Sequence, residues 1–241
     1  MNLQRKVEIN MKELHAKAEE LFVEMAGIGG DGAKETRMRR AAFEIRREML
    51  KTIAPVAGYS FYEKFNLKSA CLKVFEDSGN RNAEFNCSGF SRIEPGSLEG
   101  VYAYAVSPGD FSFENRSVMD QLYGDIWGTA YTDALRDMTM DIISKDSAKS
   151  NSVGGSLGKT GISDSFGPGF YGMDTGELAK LPLLVDFDGL GIRISEGGGF
   201  LPVKSCGGLV FRVNGRYRPL DSACRFCSGK DKECRFCRAT D

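Results

Sequence analysis

Residues 164–214 run DSFGPGFYGMDTGELAKLPLLVDFDGLGIRISEGGGFLPVKSCGGLVFRVN. The opening, DSFGPGFYGM, is a Gly/Pro loop, because Pro168 presets its own backbone and the glycines open conformations closed to other residues. A short helix near 174–181 follows. Two runs, GLGIRIS and CGGLVFRVN, have the apolar and β-branched content of strands. Gly197, Gly198 and Gly199 separate them and mark a mobile or closely packed loop.

Upstream, KVEIN at 6–10 alternates and fits a short strand, and MKELHAKAEELFVEM at 11–25 carries apolar residues at helical spacing. GIGGDG stops that helix, and a second runs from Ala33 to Lys51, with Pro55 beyond its end. Residues 56–107 are strand-rich: ACLKVFED, AEFNCSGFSRI and GVYAYAVS lie between Gly, Asn and Pro turns. A long helix is expected from Ser112 to Ile143. Val118, Leu122, Ile126, Ala130, Ala134, Met138 and Ile142 fall four apart on it, an apolar stripe facing a core. Gly124 and Gly128 inside that helix require either a close neighbouring backbone or a break. Residues 144–161, SKDSAKSNSVGGSLGKTG, read as a linker.

The chain has 241 residues, enough to bury a substantial core. Its net charge of −1 offers no basic field for nucleic acid. No stretch approaches the ~20 apolar residues of a membrane helix, and the N-terminus has no signal-peptide core. A cytoplasmic location follows as an expectation, with structural disulfides rare there.

Three phosphate, nucleotide and acid–base motifs fail. GSLGKTG lacks the first glycine of a P-loop, because residue 153 is Val, and it follows a polar segment instead of a strand. Gly27, Gly29 and Gly32 spell G-x-G-x-x-G after a helix, so they read as a helix stop. His15 is the sole histidine and sits on a helix without a nucleophile or acid in pattern beside it.

The seven cysteines divide in two. Cys71, Cys87 and Cys206 are scattered in apolar or β-like runs and read as small buried hydrophobes. Cys224, Cys227, Cys234 and Cys237 form C-x2-C-x6-C-x2-C within CRFCSGKDKECRFC. Each C-x2-C pair turns two thiolates to one side, and four suit tetrahedral zinc or an iron–sulfur cluster. Arg225, Lys230, Lys232, Arg235 and Arg238 favour the thiolate form. The short spacing leans towards a cluster; a thiol-rich tail that binds nothing is the alternative. Residues 1–222 are thus read as one domain, with a helical part at 1–55, and 223–241 as a metal-binding tail.

The order and spacing of several elements resemble one family. Pro168, Gly169 and Phe170 are followed by Gly191, Ile192, Ile194 and Glu196, then by Pro202, Lys204, Ser205 and Gly208. This is similar to the activation (reactivation) domain of cobalamin-dependent methionine synthase. It is closer still to small stand-alone proteins that carry that domain and end in a cysteine-rich segment. The resemblance spans roughly residues 100–238. It implies an α+β fold, a twisted antiparallel sheet flanked by helices. It also implies that the domain holds S-adenosylmethionine over a corrin, so that an electron and a methyl group restore methylcobalamin. On it, Ser165, Gly167, Pro168, Gly169, Phe170, Glu196, Lys204 and Ser205 would line the cofactor site. D-x-H-x-x-G, the lower-ligand motif for cobalamin, is absent, so cobalamin would arrive only with a corrinoid-binding methionine synthase or methyltransferase. A flavodoxin-like or other reductase would supply electrons.

The loop departs from the family at one point. The synthase reads R-x-x-x-G-Y, its Arg pairing with the cofactor carboxylate. Here Ser165 and Phe170 stand at the Arg and Tyr positions, and serine makes no bidentate charged contact. Arg193 or Lys204 are the candidate substitutes. The loop reads equally well as a plain turn whose Phe170 fills the core. An accessory metal or electron-transfer module without S-adenosylmethionine, and a structural zinc protein retaining only the fold, are the competing functions.

Overall fold

The computed structural model describes residues 4–75, 82–111, 116–150 and 161–220. The four-cysteine segment, the GSLGKTG stretch up to residue 160 and the expected helix start at Ser112 lie outside these residues.

The centre is a five-stranded sheet of β1 (Arg5–Lys6), β2 (Val56–Tyr62), β6 (Leu98–Ser107), β7 (Gly161–Phe166) and β10 (Cys206–Val213), in the order β1-β2-β6-β10-β7. Every adjacent pair is antiparallel. Strands β3 (Phe65–Lys68), β4 (Cys71–Phe75) and β5 (Asn82–Asn86) form a separate meander, and β8 (Arg193–Ile194) pairs with β9 (Phe200–Leu201) as a hairpin. The α+β architecture with an antiparallel sheet and flanking helices is as the resemblance implies.

Strand β6 explains why VYAYAV is apolar throughout. Successive side chains on a strand alternate between faces. Val101, Ala103 and Ala105 join a core with the β3–β5 meander and the short 3-10 segments. Tyr102, Tyr104 and Val106 join a second core under the helices.

Those helices are α1 (Met11–Ala26), α2 (Ala33–Met49) and α3 (Val118–Ser150). Asn10 caps α1, its side-chain oxygen accepting from the amides of Lys12 and Glu13. Gly27 ends it with φ +63°, so the G-x-G-x-x-G begins as a helix stop. Between the three helices, Phe22 stacks on Trp127 at 3.8 Å, and the Trp127 indole N–H donates to the Ala42 carbonyl at 2.9 Å. Arg46 ties the same layer: it donates to Glu19 at 2.8 Å, the His15 carbonyl at 2.9 Å and the Tyr131 hydroxyl at 3.1 Å. His15 is half-buried against Tyr131, and burial with the nearby Arg46 charge pushes its pKa down.

Several boundaries differ from the sequence reading. Helix α3 continues to Ser150, so the front of the expected linker is helical. A linker composition does not stop a helix already packed on a sheet. The four-apart stripe also fails at its start: Val118 is 81% and Leu122 49% exposed. Residues four apart advance about 400°, so such a stripe drifts about 40° per step around the helix. Further along, the stripe holds at Ala130, Ala134 and Met138, which are buried together with Tyr123, Trp127, Tyr131, Leu135 and Ile143. The helix does not break at Gly128. A Cβ there would overlap the Phe111 ring and stand 2.9 Å from Lys204 Cγ, so a close approach accounts for the glycine. At the N-terminus only Arg5–Lys6 of the KVEIN region pairs as a strand.

Candidate functional site: a braced turn at one end of the sheet

The last residues of β7, the first of β10 and the last of β6 lie at one end of the sheet, because the three strands are antiparallel neighbours. The loop 167–173 projects from this end. The Gly167 carbonyl accepts the Phe170 amide at 2.9 Å across Pro168 and Gly169, whose φ is +88°. Proline followed by a positive-φ glycine is the pattern of a type II turn. A second turn follows at once: Met173 N–H donates to the Phe170 carbonyl at 3.0 Å, with Tyr171 at φ +52° and Gly172 at φ +75°. Positive φ at a tyrosine is strained and persists only where surroundings enforce it.

The bracing is visible. The Tyr171 carbonyl accepts from the Gly89 amide at 2.9 Å, the Cys87 thiol at 3.2 Å and the Ser88 hydroxyl at 3.3 Å. Its ring packs on Phe166 with centroids 5.0 Å apart, and its hydroxyl donates to Asp164 at 3.3 Å. Phe170 is 53% exposed, so it does not fill the core. Tyr171, one residue on, does the packing. Sequence reasoning missed Tyr171 because alternation within a tight turn follows the turn geometry and not the strand period.

Cys87 is 1% exposed, and burial pushes its thiol up to about 11, from an ordinary value near 9. Below pH 9 the thiol is protonated in both folded and unfolded chain. Between pH 9 and 11 the unfolded chain releases the proton while the folded chain holds it, so stability falls as pH rises. The loss across that window is about 2 kcal/mol. Urea midpoints measured from pH 8 to 11 should fall less steeply in Cys87→Ala than in the native chain.

The other expected site residues fall in different places. Ser165 lies within β7 opposite Val210, and its hydroxyl shares a 2.7 Å hydrogen bond with Tyr104 beneath α3. Phe166 faces the opposite core, so Ser165 points away from the side on which Tyr171 packs. Glu196 is exposed at the tip of the β8–β9 hairpin, where Ser195 and Gly199 close the turn at 2.8 Å. Lys204 reaches α3: its ammonium lies 2.6 Å from Asp125 and donates to Thr129 at 3.0 Å. Ser205 is buried, its hydroxyl 2.7 Å from the Pro202 carbonyl and 2.8 Å from Ser107. Gly167, Pro168, Gly169 and Phe170 are thus brought together, while Lys204 and Ser205 brace the adjoining strand end. Arg193 is exposed on β8.

Two further features lie outside the loop. Burial pushes the Cys206 thiol up to about 12, with Arg136 opposing, so it is protonated and inert at neutral pH. A cavity of about 410 Å³, lined by Glu48, Met49, Lys51, Thr52, Asp110, Phe111 and Arg116, adjoins the start of α3. Among the described residues no group of three or more His, Cys, Asp or Glu is placed to hold a metal, and no helix is long and apolar enough to cross a membrane.

An antiparallel sheet with three helices on one face and a braced Pro-Gly turn at one end make this an α+β domain. Among solved structures the chain is similar to the reactivation domain of MetH bound to AdoHcy, with a TM-score of 0.66 and 13% identity over 92% of this chain and 81% of that one. No family profile and no curated protein matches the sequence.

Proposed function

We propose that this chain supports reductive reactivation of a cobalamin-dependent methionine synthase or related corrinoid methyltransferase, binding S-adenosylmethionine at the 167–170 turn. The observation that carries this reading is the turn itself: an exposed Gly169–Phe170 tip on a backbone braced from three sides, in a fold similar to a domain solved with AdoHcy. The ligand would supply a methyl group to the partner's cobalt after an electron from a reductase such as a flavodoxin has reduced it. The chain's part is to bind and orient. Glu196 and Arg193, both exposed on the β8–β9 hairpin, are the charged groups offered to the ligand's ammonium and carboxylate. Lys204, already paired with Asp125, serves the scaffold. Cys224, Cys227, Cys234 and Cys237 hold zinc or an iron–sulfur cluster, and the protein works in the cytoplasm.

One observation favours a second reading. Ser165 spends its hydroxyl on Tyr104 and places no cation beside the turn. A domain that no longer binds S-adenosylmethionine would act as a metal-bearing or electron-transfer accessory to the corrinoid partner.

Calorimetric titration of the anaerobically purified chain with S-adenosylmethionine, alongside its absorption spectrum and metal content, separates the two. Saturable binding, weakened about tenfold by Phe170→Ala, which corresponds to ~1.4 kcal/mol, supports the first. No binding by folded protein that carries iron or zinc moves the conclusion to the second.

A further inference from the structure

Asp164 lies on β7, two residues before Phe166 and on the same face. Its carboxylate collects donors from two separate segments. One oxygen accepts the Tyr171 hydroxyl of the turn at 3.3 Å. The other accepts the Tyr217 hydroxyl at 2.6 Å and the Leu220 amide at 2.9 Å. The Asp164 amide returns a bond to the Tyr217 oxygen at 3.3 Å. Residues 214–220 follow β10, and Tyr217 and Leu220 pack against the same core as Tyr171. Hydrogen bonds to a charged acceptor are about twice as strong as neutral ones, and one carboxylate here serves both segments.

We infer that Asp164 is a positioning residue that couples the Pro-Gly turn to the 214–220 segment, so that docking of this segment sets the geometry with which Gly169 and Phe170 meet a ligand. Tyr171 has a positive φ that a tyrosine does not hold unaided. Its ring is fixed by Phe166 and its hydroxyl by Asp164. When the segment leaves, Asp164 loses two of its three donors and becomes free to turn towards water. The Tyr171 hydroxyl then loses its fixed acceptor, and the second turn loosens. The segment leads directly into the four-cysteine stretch, so an event there has a physical route to the turn. The ligand aspect of this inference rests on the proposed S-adenosylmethionine site; the coupling does not.

The test uses the full chain and reads amide hydrogen exchange. Tyr217→Phe keeps the ring and removes one hydroxyl that does not touch the turn. It should speed exchange about tenfold at Gly169, Phe170 and Met173 as well as in 214–220, the scale of one charge-assisted hydrogen bond. Asp164→Asn should do the same. The double variant should add little to Asp164→Asn, because both changes break one linkage. Unchanged exchange in the turn of Tyr217→Phe, or strictly additive effects in the double variant, overturns the coupling. S-adenosylmethionine affinity should fall about tenfold in Tyr217→Phe. If the native chain binds none, the proposed ligand is wrong, and the exchange data still judge the coupling.

Discussion

Replacing Trp127 by alanine is expected to destabilise the chain by about 3–5 kcal/mol, the range for deleting a large buried aromatic. Trp127 is fully buried. It stacks on Phe22 of α1, meets Phe43 of α2 edge-on at 5.4 Å, and lies under the Arg46 guanidinium at 5.0 Å. Alanine removes all three contacts, leaves a cavity where three helices meet, and removes the hydrogen bond from the indole to the Ala42 carbonyl. Trp127→Phe should lose much less, since a ring remains and the hydrogen bond contributes about 1 kcal/mol. Urea unfolding followed by circular dichroism checks both, because Trp127 is the sole tryptophan and its fluorescence disappears with it. A loss below about 1 kcal/mol for the alanine variant, the scale of that single hydrogen bond, would mean that the helical layer does not depend on this junction.

The second large effect is expected at Gly208. A Cβ built there overlaps the Phe166 carbonyl oxygen and stands 3.1 Å from Gly167 Cα. These are backbone atoms, so no side chain can swing away. Gly208→Ala must separate β7 from β10 at the root of the turn, which overpacking puts at about 3 kcal/mol. The consequence reaches the site: the bond closing the type II turn starts at Gly167, and its tip is Gly169. On the proposed function the variant should lose S-adenosylmethionine binding while still folded, and in any case should show faster amide exchange confined to 165–173 and the adjoining start of β10. A variant with native stability and native exchange would show that the strands have room to spare.

The sequence carried the element order well, and the reason is periodicity. Helical spacing at 11–25 and the aromatic, β-branched runs at 56–107 and 206–214 are local signals, and the regions fold accordingly except at SGFSR, where Ser88–Arg92 is a 3-10 turn and not part of a strand. Gly27 marked the end of α1 through capping chemistry that needs no tertiary partner, whereas the Asn10 cap emerged only in the structure. The α+β class came from a resemblance in spacing, and the antiparallel sheet agrees with it. The candidate turn at 167–170 was equally legible, because proline fixes its own φ and glycine admits the positive φ that a turn needs wherever they occur.

Other features required the folded chain. Which face of α3 is buried could not follow from a four-residue count, because the helix turns every 3.6 residues and the sheet decides where burial begins. Ser165 was legible as the residue at an arginine position, yet its direction was not: strand register turns it to Tyr104 and away from the face that braces the turn. Phe170 is exposed and the unassigned Tyr171 does the packing, because two consecutive turns, and not strand alternation, set which ring faces the core. Lys204 became a scaffold residue only when α3 brought Asp125 and Thr129 to it across a long separation in the chain. The sequence by itself determined the local conformations, the capping and the glycine-limited turn, all of which rest on interactions within a few residues. The tertiary structure decided which side chains meet at Asp164, at Trp127 and around the turn, because those contacts join segments whose separation along the chain leaves no local trace.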